Sequence, residues 1–286
     1  MRIAIAYFSG TGNTAMCVTK MKEVFDERGQ ECFLLPLERG MPEDLSDFDV
    51  LILGYPVHAF NAPEIVLSFA ESLSTFPKDK NIYVVKTSGE GLSLNEHSSA
   101  RLSKILRKRG YAIEGEFHYL MPYDMVFRHT EDMAYRMWET AKALIPLDCK
   151  VVLEGRGTTV KTGPFLRFLL CLFRVEQKAS GLLCRTFRVS KKCTRCGLCV
   201  RDCPTKNIAM TEKGVRFSNR CLLCMRCAFR CPANAIHIGI LDFMKVNGPY
   251  RFRKTGDIAK EKRYCRKSYE RYFRKAEERI RKAKED

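Results

Sequence analysis

Two copies of one cysteine phrase constrain this chain more than anything else in it. They read Cys193-x-x-Cys196-x-x-Cys199-x-x-x-Cys203-Pro204 and Cys221-x-x-Cys224-x-x-Cys227-x-x-x-Cys231-Pro232, and they hold eight of the fourteen cysteines. A [4Fe–4S] cube takes four thiolates at the corners of a tetrahedron. Three close-set cysteines on a tight loop reach three irons, and the fourth ligand comes from elsewhere. A disulfide framework would need an oxidising compartment, and no secretory signal is visible. Structural zinc also uses Cys-x-x-Cys pairs. Three evenly spaced cysteines per run, with Pro directly after each fourth, count against zinc.

The segment at about residues 186–240 resembles the bacterial two-[4Fe–4S] ferredoxin module. The resemblance implies crossed ligation, in which each fourth cysteine serves the other cube. Cys193, Cys196, Cys199 and Cys231 would then hold one cube, and Cys221, Cys224, Cys227 and Cys203 the second. Gly197 allows a sharp turn between ligands and Ala228 gives a cube room. Ile208 and Ile236 each follow a fourth cysteine by five residues, so they should cover the two cubes equivalently.

The charge is uneven. Residues 1–150 carry 17 Lys and Arg against 21 Asp and Glu, net −4, while residues 151–286 carry 33 against 12, net +21. A basic half seeks an acidic redox partner, a membrane surface, nucleic acid or the acidic half of its own chain. No transmembrane segment is evident, because the best apolar run, Pro164 to Val175, is short and interrupted by Arg167 and Arg174. Free cysteines and iron–sulfur ligation together point to the reducing cytoplasm.

The first 150 residues alternate short apolar runs with helical stretches. Strands are expected at Ile3–Phe8, Cys32–Leu37, Val50–Val57, Ile82–Thr87 and Ala112–Leu120. Helices are expected at Asn13–Arg28, Ala62–Leu73, His97–Arg109 and Glu131–Ile145. This pattern predicts an α/β fold with a five-stranded parallel sheet. The first strand runs into Ser9-Gly10-Thr11-Gly12-Asn13-Thr14-Ala15. A Gly-rich turn between strand and helix offers backbone amides and a helix dipole to an anion. A nucleotide P-loop would need Gly-Lys-Ser/Thr at its end, and none is present. Gly10-x-Gly12-x-x-Ala15 formally meets a dinucleotide pattern, with Glu38 in place to hold a ribose. A third reading is a terminal phosphate held by Ser9, Thr11, Thr14 and Asn13.

That hydroxyl-dense loop resembles the FMN-phosphate loop of flavodoxins, and the likeness extends over about residues 1–150. It implies a doubly wound sheet with FMN outside the carboxyl ends of the strands. Two further loops fall where a flavodoxin needs them. The first runs Tyr55-Pro56-Val57-His58-Ala59-Phe60-Asn61 and offers Tyr55, His58 and Phe60 as ring contacts. The second contains Ser88, Gly89 and Gly91, whose backbone can approach the pyrimidine edge. Neither loop has the Trp that flavodoxins often stack on the ring; Trp138 belongs to the last helix.

The whole chain resembles the flavodoxin–ferredoxin fusion proteins of anaerobic bacteria. The domains expected are residues 1–150, a linker at 151–185, the cluster module at 186–240, and a basic, largely helical tail at 241–286. In the linker, Leu166, Leu169, Leu170 and Phe173 share one helical face, suited to packing on a domain or to touching a membrane. The tail reads as a solvated or bridging helix, with Tyr264, Tyr272 and Ile280 spaced in eights. The resemblance implies an electron-transfer protein with FMN, two [4Fe–4S] clusters and acidic redox partners. Two other readings stay open: a flavin-dependent oxidoreductase of a small molecule such as a quinone, and a redox-sensing protein whose basic tail engages nucleic acid or membrane. No Ser/His/Asp set or carboxylate dyad marks a catalytic centre.

Overall fold

The computed structural model describes residues 1–40, 44–256 and 267–285. Strands β1 (Arg2–Tyr7), β2 (Glu31–Pro36), β3 (Val50–Pro56), β4 (Asn81–Ser88) and β5 (Ile113–Leu120) form one parallel sheet in the order β2-β1-β3-β4-β5. This is the flavodoxin-like order, whose switch point lies between β1 and β3. Helices α1 (Asn13–Glu27), α2 (Glu64–Ser72), α3 (Ser93–Glu96), α4 (Ala100–Lys108) and α5 (Glu131–Leu153) cover both faces. Ile3, Ala4, Ile5 and Ala6 are all fully buried, because successive side chains enter opposite, equally covered layers. Ile3 and Ile5 pack with Val18 and Met21 of α1 and Ile145 of α5. Ala4 and Ala6 join Leu67 and Phe69 of α2 and Leu102 of α4.

The helix expected to end at Ile145 runs to Leu153 with Pro146 inside it. An interior proline removes its own amide from the ladder and crowds the carbonyl four residues back, and the helix continues through it. The extra turns bury Asp148, Cys149 and Val152 against the sheet, and Arg28 donates to the Pro146 carbonyl at 3.1 Å.

The second half begins with α6 (Pro164–Leu183), which passes well beyond the expected end at Val175. Strand β6 (Arg188–Val189) follows, then α7 (Leu198–Arg201), the hairpin of β7 (Ile208–Thr211) and β8 (Gly214–Phe217), α8 (Arg226–Phe229) and β9 (Ile236–His237). β6 pairs antiparallel with β9, and β7 with β8. The two cysteine runs repeat in backbone conformation. Arg195 and Leu223 have φ 56° and 49°, Gly197 and Met225 76° and 56°, and Lys206 and Asn234 50° and 45°. Each pair occupies the same step of its run. Left-handed backbone is unfavourable for side-chain-bearing residues, so its recurrence at matched steps marks a shared requirement.

The chain then returns to the first half. Arg128 donates to the carbonyls of Asn247, Gly248 and Pro249, and Glu131 accepts from the amides of Arg251 and Phe252. The expected tail helix is described from Lys267 as α9 (Lys267–Glu285); Tyr264 and its neighbours at 257–266 lie outside the described residues. α9 is not solvated all round. Tyr269, Phe273 and Ala276 are buried, a face at steps of three and four that the eight-residue spacing of Tyr264, Tyr272 and Ile280 conceals. Arg279 pairs with the buried Asp148 carboxylate, which also accepts from Tyr119 at 2.6 Å. Among the described residues no helix is long and apolar enough to cross a membrane.

Inside the sheet domain, Lys86 and Glu116 form an ion pair at 2.7 Å with side chains 1% and 4% exposed. Ser99 also donates to this carboxylate, and Lys86 donates to the Glu96 carbonyl at 2.6 Å. Removing one partner strands the other charge in a dry site. Lys86→Met is therefore expected to destabilise the protein by about 3–5 kcal/mol in denaturant unfolding, and Lys86→Met with Glu116→Gln by clearly less.

Candidate functional site

A cavity of about 470 Å³ opens at the carboxyl ends of the strands, between the sheet domain and the cluster module. That volume is in the range of small-molecule and cofactor sites. The sheet domain contributes Ser9 to Thr11, Asn13 and Thr14 after β1, Pro56 to Phe60 after β3, and Thr87 to Gly89 after β4. The cluster module contributes Leu222, Leu223 and Met225, with Leu183 at the end of α6.

The loop after β1 leads into the first turn of α1, whose leading amides have no acceptor within the helix. Its hydroxyls partly build the loop itself. Ser9 Oγ accepts from the Ala15 amide at 3.1 Å, Thr14 Oγ1 meets Thr87 Oγ1 at 2.8 Å, and Thr11 Oγ1 donates to Asp124 at 3.0 Å. Asn13 donates its side-chain amide to the Pro122 carbonyl at 2.7 Å. Gly12, with φ 121°, starts the helix and does not line the cavity.

In the second loop, His58 to Asn61 closes a two-residue hairpin, with Ala59 and Phe60 at φ 44° and 59°. Phe60 and His58 face the cavity. Burial pushes the His58 imidazole down to about 4, so it is neutral at physiological pH. Tyr55 reads from sequence as a ring contact, but its side chain is fully buried in the α2–α4 layer, with its hydroxyl 3.4 Å from Ser98 Oγ. Asn61 is also turned away, donating to the carbonyls of Ala59 and Leu170. Gly91 lies under α9, against Ser268 and Tyr272, outside the lining.

Sequence reasoning missed the loop after β5. Met121 to Val126 form a wall of the cavity, and Tyr123 brings an aromatic ring. A Cβ on Gly89 would collide with that ring, so glycine is required there. His129 holds the wall in place. Burial pushes its pKa down to about 3. Its Nδ1 accepts from the Tyr123 amide at 3.1 Å, leaving Nε2–H to face Tyr269 Oη at 3.0 Å. Tyr269 in turn donates to the Gly89 carbonyl at 2.9 Å. Two loops of the cavity are thus joined through α9.

The cysteines gather in two sets. Cys193, Cys196, Cys199 and Cys231 border one small cavity, which Cys227 also lines. Cys203, Cys221, Cys224 and Cys227 border another. The amides of Arg195 and Leu223 donate to Cys193 and Cys221 at 3.4 and 3.3 Å, and those of Asn207 and Ala235 to Cys203 and Cys231 at 3.2 and 3.3 Å. Offsets of two and four residues recur in both runs, which accounts for the paired left-handed positions. Amides aimed at sulfur favour the thiolate that a cluster iron needs. Ile208 and Ile236 are buried at equivalent places.

Arg226, between Cys224 and Cys227, joins the two halves. Its guanidinium donates to Ser9 O at 2.5 Å, Gly10 O at 2.9 Å, Asp202 O at 3.0 Å and Glu38 Oε1 at 2.6 Å. Glu38, which a dinucleotide ribose would require, is taken by this arginine. A Cβ on Gly10 would stand 2.5 Å from Cys224 O, so only glycine lets the two loops meet.

Asp124 faces the same cavity, and loss of water around it raises its carboxyl to about 6. Between about pH 4 and 6 the folded state then keeps a proton that the unfolded chain releases, so this group's contribution to stability declines as pH rises through that window. Asp124→Asn is expected to match the wild-type apoprotein in thermal unfolding at the low end of the window and to exceed it at the high end. Melting curves that stay parallel across the window would contradict this.

Residues 192–238 match the family described as a 4Fe-4S dicluster domain. Among solved structures, oxidised flavodoxin 2 from Bacillus cereus is 20% identical, covering 54% of this chain and 99% of its own, with a TM-score of 0.43. Flavodoxin 1 from Bacillus cereus is 15% identical over 54% of this chain and 98% of its own, with a TM-score of 0.40. A Fusobacterium nucleatum flavodoxin bound to flavin mononucleotide is 14% identical over 54% and 97%, with a TM-score of 0.39. No curated protein matches the chain significantly. With its sheet order and its cysteine module, the chain is a fusion of a flavodoxin-like domain with a 4Fe-4S dicluster domain.

Proposed function

We propose that this protein carries electrons between one FMN, two [4Fe–4S] clusters and external redox proteins. The observation that supports this most directly is the shared wall. Leu222, Leu223 and Met225, interleaved with the cysteines of one cube, line the same cavity as the β1 loop and Phe60. Cys203, Cys221, Cys224 and Cys227 would hold the cube beside the flavin, and Cys193, Cys196, Cys199 and Cys231 the outer one. Bound there, FMN would supply one- or two-electron chemistry and each cube one-electron chemistry.

The side chains have distinct tasks in this reading. The β1 loop and the α1 N-terminus would hold the phosphate, with Arg226 behind the loop adding positive charge. Phe60 and Tyr123 are the aromatic side chains available to contact the ring, and neutral His58, which lines the same cavity, would be a further contact. Leu222, Leu223 and Met225 exclude water between flavin and cube. The outer cube would sit among Arg195, Arg201 and Arg230, of which Arg195 and Arg230 line the cavity of the outer cysteine set. This basic surround suits an acidic redox partner.

Anaerobic reconstitution is expected to load about eight iron and eight sulfide per chain, with FMN bound more tightly than riboflavin. Cys203→Ala is expected to remove the cube beside the flavin and spare the outer one. Paramagnetic resonance of the reduced protein with the outer cube lost and the inner one intact would sink the crossed ligand sets.

Exchange between flavin and inner cube is expected to be nearly independent of salt in rapid-reduction kinetics, because buried contacts escape ionic screening. Arg226→Gln strands Glu38 and two buried carbonyls, a loss of about 3 kcal/mol or more from the junction, and is expected to slow that exchange. A rate that falls steeply with salt in the wild type, yet is untouched in the variant, would assign docking to surface charge instead.

A further inference from the structure

Helix α6 rests one side on the protein and leaves an apolar stripe in solvent. Inward, Leu170 is buried, its carbonyl accepts from Asn61 at 3.1 Å, and Phe173 meets Phe60 edge-on with ring centroids 4.8 Å apart. Outward, Phe165, Phe168, Leu172 and Val175 recur at three- and four-residue steps, Leu182 follows two turns on, and they are 78%, 62%, 52%, 67% and 66% exposed. The turn Gly239–Met244, which packs on the turn continuing α6, adds Ile240 and Phe243 at 68% and 83% exposed. Single exposed apolar residues are ordinary, but a run of this length marks an interaction surface.

The charge around it selects the occupant. Lys161 to Arg201 contains ten Lys or Arg and one acidic residue, Glu176. Arg167, exposed, and Arg174, half-buried, lie seven residues apart beside the apolar stripe. A second copy of the chain would bring these arginines against their own kind. A lipid surface with anionic headgroups offers both an apolar layer and the opposite charge.

We propose that α6 docks flat on an anionic lipid surface, its outer stripe in the acyl boundary and Arg167, Arg174 and Arg185 among the headgroup phosphates. The inward contacts to Asn61 and Phe60 keep the helix on the protein, so it lies on the bilayer and does not cross it. Because those same contacts reach the His58–Asn61 hairpin, docking places the cavity close to the lipid.

The test uses the full-length holoprotein and vesicles of phosphatidylcholine with or without phosphatidylglycerol. Co-sedimentation is expected with phosphatidylglycerol vesicles, to fall as salt rises, and to be weak with phosphatidylcholine alone. Phe165→Ser, Phe168→Ser and Leu172→Ser together are expected to cut binding about tenfold or more while leaving flavin and cluster absorbance unchanged. Arg167→Gln with Arg174→Gln is expected to remove the salt-sensitive part. Wild-type protein that ignores the anionic vesicles, or serine variants that bind as well as wild type, would overturn the proposal. So would a wild-type mass of two chains in analytical ultracentrifugation that the serine variants reduce to one, which would assign the stripe to a second copy.

Discussion

One guanidinium ties this molecule together. Arg226 lies between two cysteines of the inner set and gives its donors to Ser9, Gly10, Glu38 and Asp202. These partners belong to the β1 loop, the segment after β2 and the first cysteine run. A buried arginine is costly unless its planar fork is met by acceptors, and here it is met on several sides. The same charge sits beside Cys224, whose thiol burial pushes up to about 11 while the Arg226 amide and guanidinium draw it down. The contact that docks the halves therefore also bears on the Cys224 thiol, and loosening it would disturb both.

The cavity depends on this docking because neither half encloses it alone. The sheet domain supplies a ledge at its switch point, as open α/β sheets do, and the cluster module supplies the facing apolar wall. The segment after β9 fastens the other side through Arg128, Glu131 and Tyr250, whose hydroxyl donates to the Tyr123 carbonyl at 2.7 Å. The uneven charge of the two halves has less to do with this than the net values suggest. The junction is made by buried, directed bonds and apolar packing, which leaves much of the basic surface facing outward.

What could be read from sequence was what local spacing decides. The cysteine runs announce themselves because ligand geometry is set within a few residues, and the parallel sheet, though not its strand order, followed from apolar runs alternating with helical stretches. The β1 loop was legible for the same reason. The role of Arg226 was not, since its partner Gly10 is 216 residues away and an arginine between ligands carries no local mark. Tyr55 misled because an aromatic at the end of a strand suits a cavity or a core equally, and the strand's alternation gave it to the core. Tyr123 and Asp124 were invisible because the loop after β5 has no glycine-rich pattern of its own. The face of α9 was obscured by counting Tyr264, Tyr272 and Ile280 instead of Tyr269, Phe273 and Ala276.

The chain of bonds from His129 through Tyr269 to Gly89 has a bearing on time as well as shape. Ser268 donates to Glu90 at 2.9 Å across 178 residues of chain, so the loop after β4 gains its support from a helix synthesised long after it. During translation the sheet can form early, as N-terminal domains do. The ledge of the cavity must then wait, first for the cysteine module to arrive as a wall and then for α9 to brace the loop. Maturation has a built-in order in which the sheet precedes the pocket, and a ribosome that stalls before α9 leaves a folded scaffold whose cavity is still unfinished.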